Sequence, residues 1–309
     1  VMVSASAIFP SHRREFGAHC VNEVMMLPRP FNYHRPRTLD EAVSFMTCHA
    51  DDVSPYAGGT ELLLAMKMHF ADYQNFVDLK RIPELRAIAR HDDMVSLGAL
   101  ATHADIAVNA VIRDTLPALA RLCASIANVR VRASGTIGGN LCFAEPRADP
   151  PILLAALDAQ LYLKSARGER RVAASQFITG ALETIRAMDE ILLRIEIPLA
   201  AGGISYERVV HGHRTVAGAA VVLANDPSTS ARVWVGCVAG CPASLPSAER
   251  YIAANPDVPD NALKQAIAAD IGELDVIDDE DASADYRRHL ALTVAHRAIA
   301  AALGRKVSV

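Results

Sequence analysis

Nowhere in the 309 residues do 18 apolar residues run together, so no segment reads as a membrane-spanning helix. The six cysteines (20, 48, 123, 142, 237 and 241) never form a Cys-x-x-Cys pair. A zinc ribbon and a clustered iron–sulfur site are thereby excluded, and scattered single thiols fit a reduced, cytoplasmic protein. Neither sign of charge dominates: 31 basic against 35 acidic residues leave a net charge of −4, which offers no electrostatic footprint for nucleic acid. Gly-x-Gly-x-x-Gly is absent, and so is Gly-Lys-Ser/Thr. A nucleotide site of Rossmann or Walker type is therefore ruled out. No nucleophile with its base, paired carboxylates or metal cluster stands out either.

What is present is globular: 51% hydrophobic and 21% charged residues, in a chain long enough for two domains. Residues 1–25 place an apolar stretch, Val1–Pro10, before Arg13, Arg14 and Glu15. A signal peptide has the reverse order. This segment reads as a poorly structured extension or the product of an upstream start, with the folded protein beginning near Met26.

Thr38-Leu39-Asp40-Glu41 is a capping box that predicts a helix to about Cys48. Val53–Ala57 reads as a strand, Gly58-Gly59 as a turn, Glu61–Met68 as a helix opened by Thr60, and Phe76–Leu79 as the next strand. That order describes a small βαβ-like unit with its glycine turn at a strand's C-terminal end. Hairpins are expected at 86–99 and 160–173. Residues 106–122 read as helical with a break near Asp114–Pro117. A helix from about Ile152 follows irregular backbone at Pro150-Pro151, and Ile191–Ile197 reads as a strand. Beyond a boundary at 200–203, three strands (205–210, 217–223, 233–238) precede three helices (244–253, 261–271, 284–303), which suggests a separate α+β domain. The acidic run Asp278–Asp281 reads as a solvated loop.

Two double-glycine segments lie 80 residues apart: Pro55-Tyr56-Ala57-Gly58-Gly59-Thr60-Glu61-Leu62 and Ser134-Gly135-Thr136-Ile137-Gly138-Gly139-Asn140-Leu141. Without a Cβ, such backbone can approach a ligand closely. Its N–H groups, and the N-terminus of a following helix, can receive phosphate. Each segment alone is equally readable as an ordinary tight turn. Together they suggest two linked phosphates held from two sides.

Further pieces stand in fixed order: Met66-Lys67, Val77-Asp78-Leu79, Ile82, Glu84-Leu85, Leu97-Gly98-Ala99, Thr102-His103 and Glu190-Ile191-Leu192. With the two glycine segments they make the chain, from about Leu27 to Gly304, resemble the FAD-binding medium subunits of the molybdenum hydroxylases, the xanthine dehydrogenase and carbon monoxide dehydrogenase group. The resemblance implies an α+β fold. A PCMH-type, vanillyl-alcohol-oxidase-like FAD domain spans 26–201, in parts of about 26–82 and 83–201. A smaller C-terminal α+β domain, with a three-stranded sheet and helices, spans 202–309.

It also implies site residues. Pro55, Tyr56, Ala57, Gly58, Gly59, Thr60, Glu61 and Leu62 would line the FAD pyrophosphate, with Thr136, Ile137, Gly138, Gly139 and Asn140 on its other side. Asp149 would contact the nucleotide end, or else cap the helix after it. Leu192 and Ile126 would lie near the flavin, or else be plain core. Arg208 stands where relatives carry a lysine, and a planar guanidinium does not reproduce a point charge. Ala133 replaces a common asparagine. His103 would be a flavin anchor or simply a helix-start residue. No residue of this chain is expected to be catalytic.

The implied function is electron transfer. A large partner would hold the molybdenum cofactor and a small one two [2Fe–2S] clusters, in a dimer of heterotrimers. FAD here would relay electrons to an external acceptor, since the cofactor carries the redox chemistry. Hydroxybenzoyl-CoA reductases of the group carry an extra cysteine-rich insert that this chain lacks. The competing readings are a self-sufficient flavin oxidase or dehydrogenase, and a non-catalytic nucleotide-binding assembly module.

Overall fold

The computed structural model describes residues 28–199, 202–212, 214–226, 230–255 and 260–304. The expectation for residues 1–25 lies outside them. The first unit is β1 (Asn32–His34), α1 (Leu39–Cys48), β2 (Val53–Tyr56), α2 (Leu62–Lys67) and β3 (Asn75–Asp78). Its strands form a parallel sheet in the order β1-β3-β2, which the α2 crossover between β2 and β3 permits. Thr38 caps α1 by accepting from the Glu41 N–H at 3.2 Å. The Glu41 carboxylate reaches past Thr38 to the Arg37 N–H, so only half of the expected capping box forms. Nor does Thr60 cap α2. That helix starts at Leu62, and the residue before it, Glu61, makes no side-chain cap.

The second unit follows as β4 (Ile88–His91), β5 (Met94–Gly98), α3 (His103–Val108), α4 (Ala110–Thr115), α5 (Pro117–Ser125), α6 (Val129–Ser134), α7 (Ile137–Phe143), α8 (Pro150–Ala156), β6 (Gln160–Ser165), β7 (Gly168–Ala173), α9 (Ala174–Phe177), β8 (Ile178–Gly180), β9 (Glu183–Thr184) and β10 (Ile191–Pro198). Five of its strands form an antiparallel sheet in the order β4-β5-β10-β6-β7. Leu97, Leu161, Leu163 and Ile195 of this sheet bury their side chains with Ile106, Leu119 and Leu153 of the helices in the main core. Pro150 and Pro151 are the first residues of α8 and not irregular backbone before it, because a helix's first turn has no use for their missing N–H groups.

The third unit is β11 (Ile204–His211), β12 (Arg214–Leu223), β13 (Ala231–Gly236), β14 (Ala243–Ser244), α10 (Pro246–Ala254), α11 (Asp260–Gly272) and α12 (Ala284–Ala302). The three expected long strands are present, with the two-residue β14 added at the edge. Their apolar face packs on the helices through Val221, Val233, Ile267 and Val294.

The acidic run is not merely solvated. Asp279 accepts from the fully buried Arg287 of α12 at 2.5 Å, and Arg287 also donates to the carbonyls of Val216 and Cys237, both at 3.1 Å. Burial alone would raise the Asp279 carboxyl, but hydrogen bonds from Arg287 and from the Ala282 and Asp281 N–H groups hold it below its ordinary range. One cation thus ties the 278–281 loop to β12 and to the turn after β13.

Residues 99–103 zip onto 135–138. The Gly138 N–H donates to Ala99 O (2.9 Å), Ile137 to Ala101 O (3.0 Å), and His103 to Gly135 O (3.0 Å). His103 starts α3 behind a true capping box made by Thr102 and Asp105. Its ring is 3% exposed and Nδ1 has no partner, so burial pushes its pKa down to about 4.

Two outcomes are expected. Arg287→Met strips this donor from two buried carbonyls and from the partly exposed Asp279 carboxylate, and should cost about 1–3 kcal/mol in urea unfolding. For His103, the unfolded chain binds the extra proton between its ordinary pKa, about 6.5, and the folded value of about 4. Stability therefore falls as pH drops through that window and levels off below it. At pH 5 the wild type should have lost roughly 2 kcal/mol more, relative to pH 7.5, than His103→Leu. Equal losses in the two proteins would mean that the folded ring protonates freely.

Candidate functional site

The two glycine segments meet. A Cβ on Gly58 would lie 2.0 Å from the Ser134 carbonyl oxygen and 3.0 Å from the Gly135 Cα. The turn after β2 therefore rests directly on the backbone between α6 and α7. Gly59 has φ +69°, and a Cβ there would strike the Tyr56 ring at 2.6 Å. A side chain at this position is excluded by both strain and space. Tyr56 lies under the turn, edge-on to Phe76 and Tyr33, with the Lys80 ammonium 4.3 Å from its ring centre. Burial first, and the nearby Asp78 carboxylate second, push the Tyr56 phenol up.

The second segment is not the expected tight turn. Gly138 and Gly139 sit in the first turn of α7, which Thr136 caps by accepting from the Gly139 N–H at 3.0 Å. The N–H groups of Ile137 and Gly138 go to Ala101 and Ala99, and that of Asn140 goes to Thr136 O. This helix start has therefore spent the donors that the sequence suggested for phosphate. Gly138 is a packing glycine, since its Cβ would meet Ala99 at 2.6 Å. Gly139 differs: a Cβ there meets only the Thr136 hydroxyl, at 2.8 Å, and otherwise enters open space.

The free donors are on the first segment. Among the described residues, no hydrogen bond takes up the N–H groups of Ala57, Gly58, Gly59 or Thr60. On α7, the Asn140 Oδ1 is buried without a partner. Four successive unspent N–H groups near a helix start are an anion-binding arrangement. Glu61 bounds it: burial, then the neighbouring Glu145, push its carboxyl up, and Arg214 acts against them. Pro55 is part of β2, and Leu62 is the first residue of α2.

Three other expected site residues come together elsewhere, where α5 and α8 meet the third unit. Asp149 is 5% exposed. It does not cap α8. Its carboxylate accepts from the Tyr206 hydroxyl at 2.5 Å and from Arg208. Arg208 also donates to Ser125 O at 2.7 Å and to the Thr215 hydroxyl at 3.3 Å. Ile126 follows Ser125 and packs half-buried against the main core, its carbonyl taking Arg132 Nη1 at 2.9 Å. Leu192 stands apart as a core residue of β10, 4% exposed and paired with Leu163.

Tyr206 was missed from the sequence, although residues two apart on a strand share a face, so Arg208 on β11 implied it. Glu145, Arg147 and Arg214 had no such signal. They reach the site only through tertiary contacts.

The turn keeps unspent N–H donors and Gly139 faces open space, and these fit a pyrophosphate-containing nucleotide such as FAD.

Residues 29–200 match the family model described as the FAD binding domain in molybdopterin dehydrogenase, and residues 207–302 match that of the CO dehydrogenase flavoprotein C-terminal domain. The chain is 32% identical to the caffeine dehydrogenase subunit beta of Pseudomonas sp. strain CBB1, covering 91% of this chain and 98% of that one. It is 31% identical to the carbon monoxide dehydrogenase medium chain of Hydrogenophaga pseudoflava, covering 91% and 99%. A solved structure of the carbon monoxide dehydrogenase from Hydrogenophaga pseudoflava, lacking the Mo-pyranopterin moiety of the molybdenum cofactor, superposes with a TM-score of 0.85 at 32% identity, over 91% of this chain and all of that one. Glycine cradle, three-unit fold and these likenesses agree: the chain belongs to the family of FAD-binding medium subunits of the molybdenum hydroxylases.

Proposed function

We propose that this chain is the FAD-carrying electron-transfer subunit of a molybdenum-containing hydroxylase or dehydrogenase. It works with a large subunit that holds the molybdenum cofactor and a small one that holds two [2Fe–2S] clusters, as a dimer of heterotrimers in the cytoplasm. The observation that carries the reading is the coincidence of full-length likeness to such medium subunits with an unspent N–H cradle at the Gly58-Gly59 turn. Among the described residues no helix is long and apolar enough to cross a membrane.

FAD, when bound, would supply the redox chemistry that links the partner clusters to an external acceptor. The protein's own work is holding and orienting. The N–H groups of 57–60 take the pyrophosphate, Gly139 leaves room for it, and Asn140 offers its side-chain amide. Thr136 and Ile137 shape the α7 start, while Pro55, Tyr56, Glu61 and Leu62 frame the turn. Asp149 and Arg208, locked to each other, shape the wall near Ile126. Leu192 lies apart from that wall, in the core of the five-stranded sheet. The sheets change over between β10 and β11, and the two family spans separate between 200 and 207. Both support a domain boundary at 201/202, and the change of sheet between β3 and β4 supports the division of the FAD domain near 82.

The purified chain should be yellow with a flavin absorption spectrum. A chain that stays colourless after incubation with FAD would sink the proposal. The glycines should separate by role. Gly139→Leu should lose most bound FAD, while its FAD-free chain, which must adjust only the Thr136 hydroxyl, melts closer to wild type than that of Gly58→Val. Gly58→Val should lower the melting temperature of the FAD-free chain itself, because its side chain collides with the Ser134 carbonyl. Full FAD occupancy in Gly139→Leu would remove that residue from the cradle.

A further inference from the structure

One short connector, residues 144–149 between α7 and α8, is fastened to the third unit at three successive points. Arg147 pairs with Asp281, and lies 4.0 Å from Asp279. The Ala148 carbonyl faces the Cys237 thiol at 3.9 Å. Asp149 takes Tyr206 and Arg208. The receiving side is itself braced, since Arg287 grips both Asp279 and the Cys237 carbonyl, and Cys237 holds a left-handed φ of +63°. At its other end the connector leaves α7 through Ala144, also left-handed at φ +53°. Its Glu145 carboxylate is held by Arg147 Nε at 3.3 Å and stands close enough to Glu61 to act on its charge. Arg147 thus joins the 278–281 loop to Glu145 on the connector that directly continues α7, the helix whose first turn carries Gly139.

We propose that Arg147 is a positioning residue for FAD: by holding Glu145 on one side and Asp281 on the other, it lets the C-terminal domain set the geometry of the cofactor cradle. The inference rests on the FAD reading above. The physical logic is that of a strut. Two unpaired carboxylates, Glu145 and Glu61, at the edge of a phosphate site would repel the incoming anion. The Arg147 guanidinium offsets one of them and fixes where it stands. Its planar fork, with several donors, can serve Glu145 and Asp281 at once, and a shorter or uncharged side chain cannot. The ties are only partly exposed, with side chains 20% exposed for Arg147, 29% for Glu145 and 34% for Asp281. Each is therefore a modest contribution to global stability, yet all converge on one connector.

The test uses the full chain, stripped of FAD and titrated with FAD by flavin fluorescence, alongside the melting temperature with and without FAD. Arg147→Gln and Asp281→Asn should each raise the FAD Kd about three- to ten-fold, and Arg147→Lys should recover part of the loss. The melting temperature of the FAD-free chain should move little, so the gain in melting temperature on adding FAD shrinks. Arg288→Gln, which removes an exposed partner of Asp285 on the same helix, should bind FAD as the wild type does. Equal FAD affinity in wild type, Arg147→Gln and Asp281→Asn overturns the proposal, as does an equal drop in melting temperature with and without FAD. A wild-type chain that fails to take up FAD at all overturns the underlying reading as well, which separates the two failures.

Discussion

Everything at the site depends on how closely Gly58 approaches the backbone at Ser134 and Gly135. Two segments 80 residues apart touch there without a side chain between them, and a single Cβ would stand 2.0 Å from a carbonyl oxygen. That contact sets the β2–α2 turn on the loop that starts α7. It joins the small parallel sheet to the five-stranded sheet, because 99–103 and 135–138 are zipped together just behind it. The N–H groups of 57–60 stay unspent beside this contact.

Burial separates the roles of residues that look alike in sequence. Of the four paired glycines, Gly58 and Gly138 serve packing and Gly59 serves a positive φ. Gly139 alone has open space before it, apart from the hydroxyl of Thr136. The two charged residues expected at the ligand, Asp149 and Arg208, spend their charge on each other and on Tyr206. A buried pair of this kind is costly to break, since removing one partner strands the other in a medium that solvates it poorly. Their position at the junction of α8 with β11 makes them a tie between units.

Much of this was legible in the residues. The βαβ order of the first unit, both hairpins, the three long strands and three helices of the last unit, and the two glycine segments all follow from local periodicity and turn chemistry. Errors arose where a local signal has two physical solutions. Thr60 and Thr136 both precede helices, yet only Thr136 caps one. The prolines at 150 and 151 break backbone in a loop but open a helix when its first turn needs no donor. The acidic run at 278–281 looks solvated until the fully buried Arg287 of α12 folds back on it.

The sequence by itself determined where both hairpins and the long strands and helices of the third unit lie, that no Rossmann or Walker loop is used, and which family the chain resembles. These rest on short-range chemistry: the spacing of glycines, caps and apolar residues along the chain. Tertiary structure alone decided which glycine faces open space, which N–H groups remain unspent, and that residues 144–149 are anchored to the C-terminal domain through Arg147, Ala148 and Asp149. A donor is spent or free according to what folds against it, and those partners lie tens to more than a hundred residues away in the chain, beyond the reach of any local pattern.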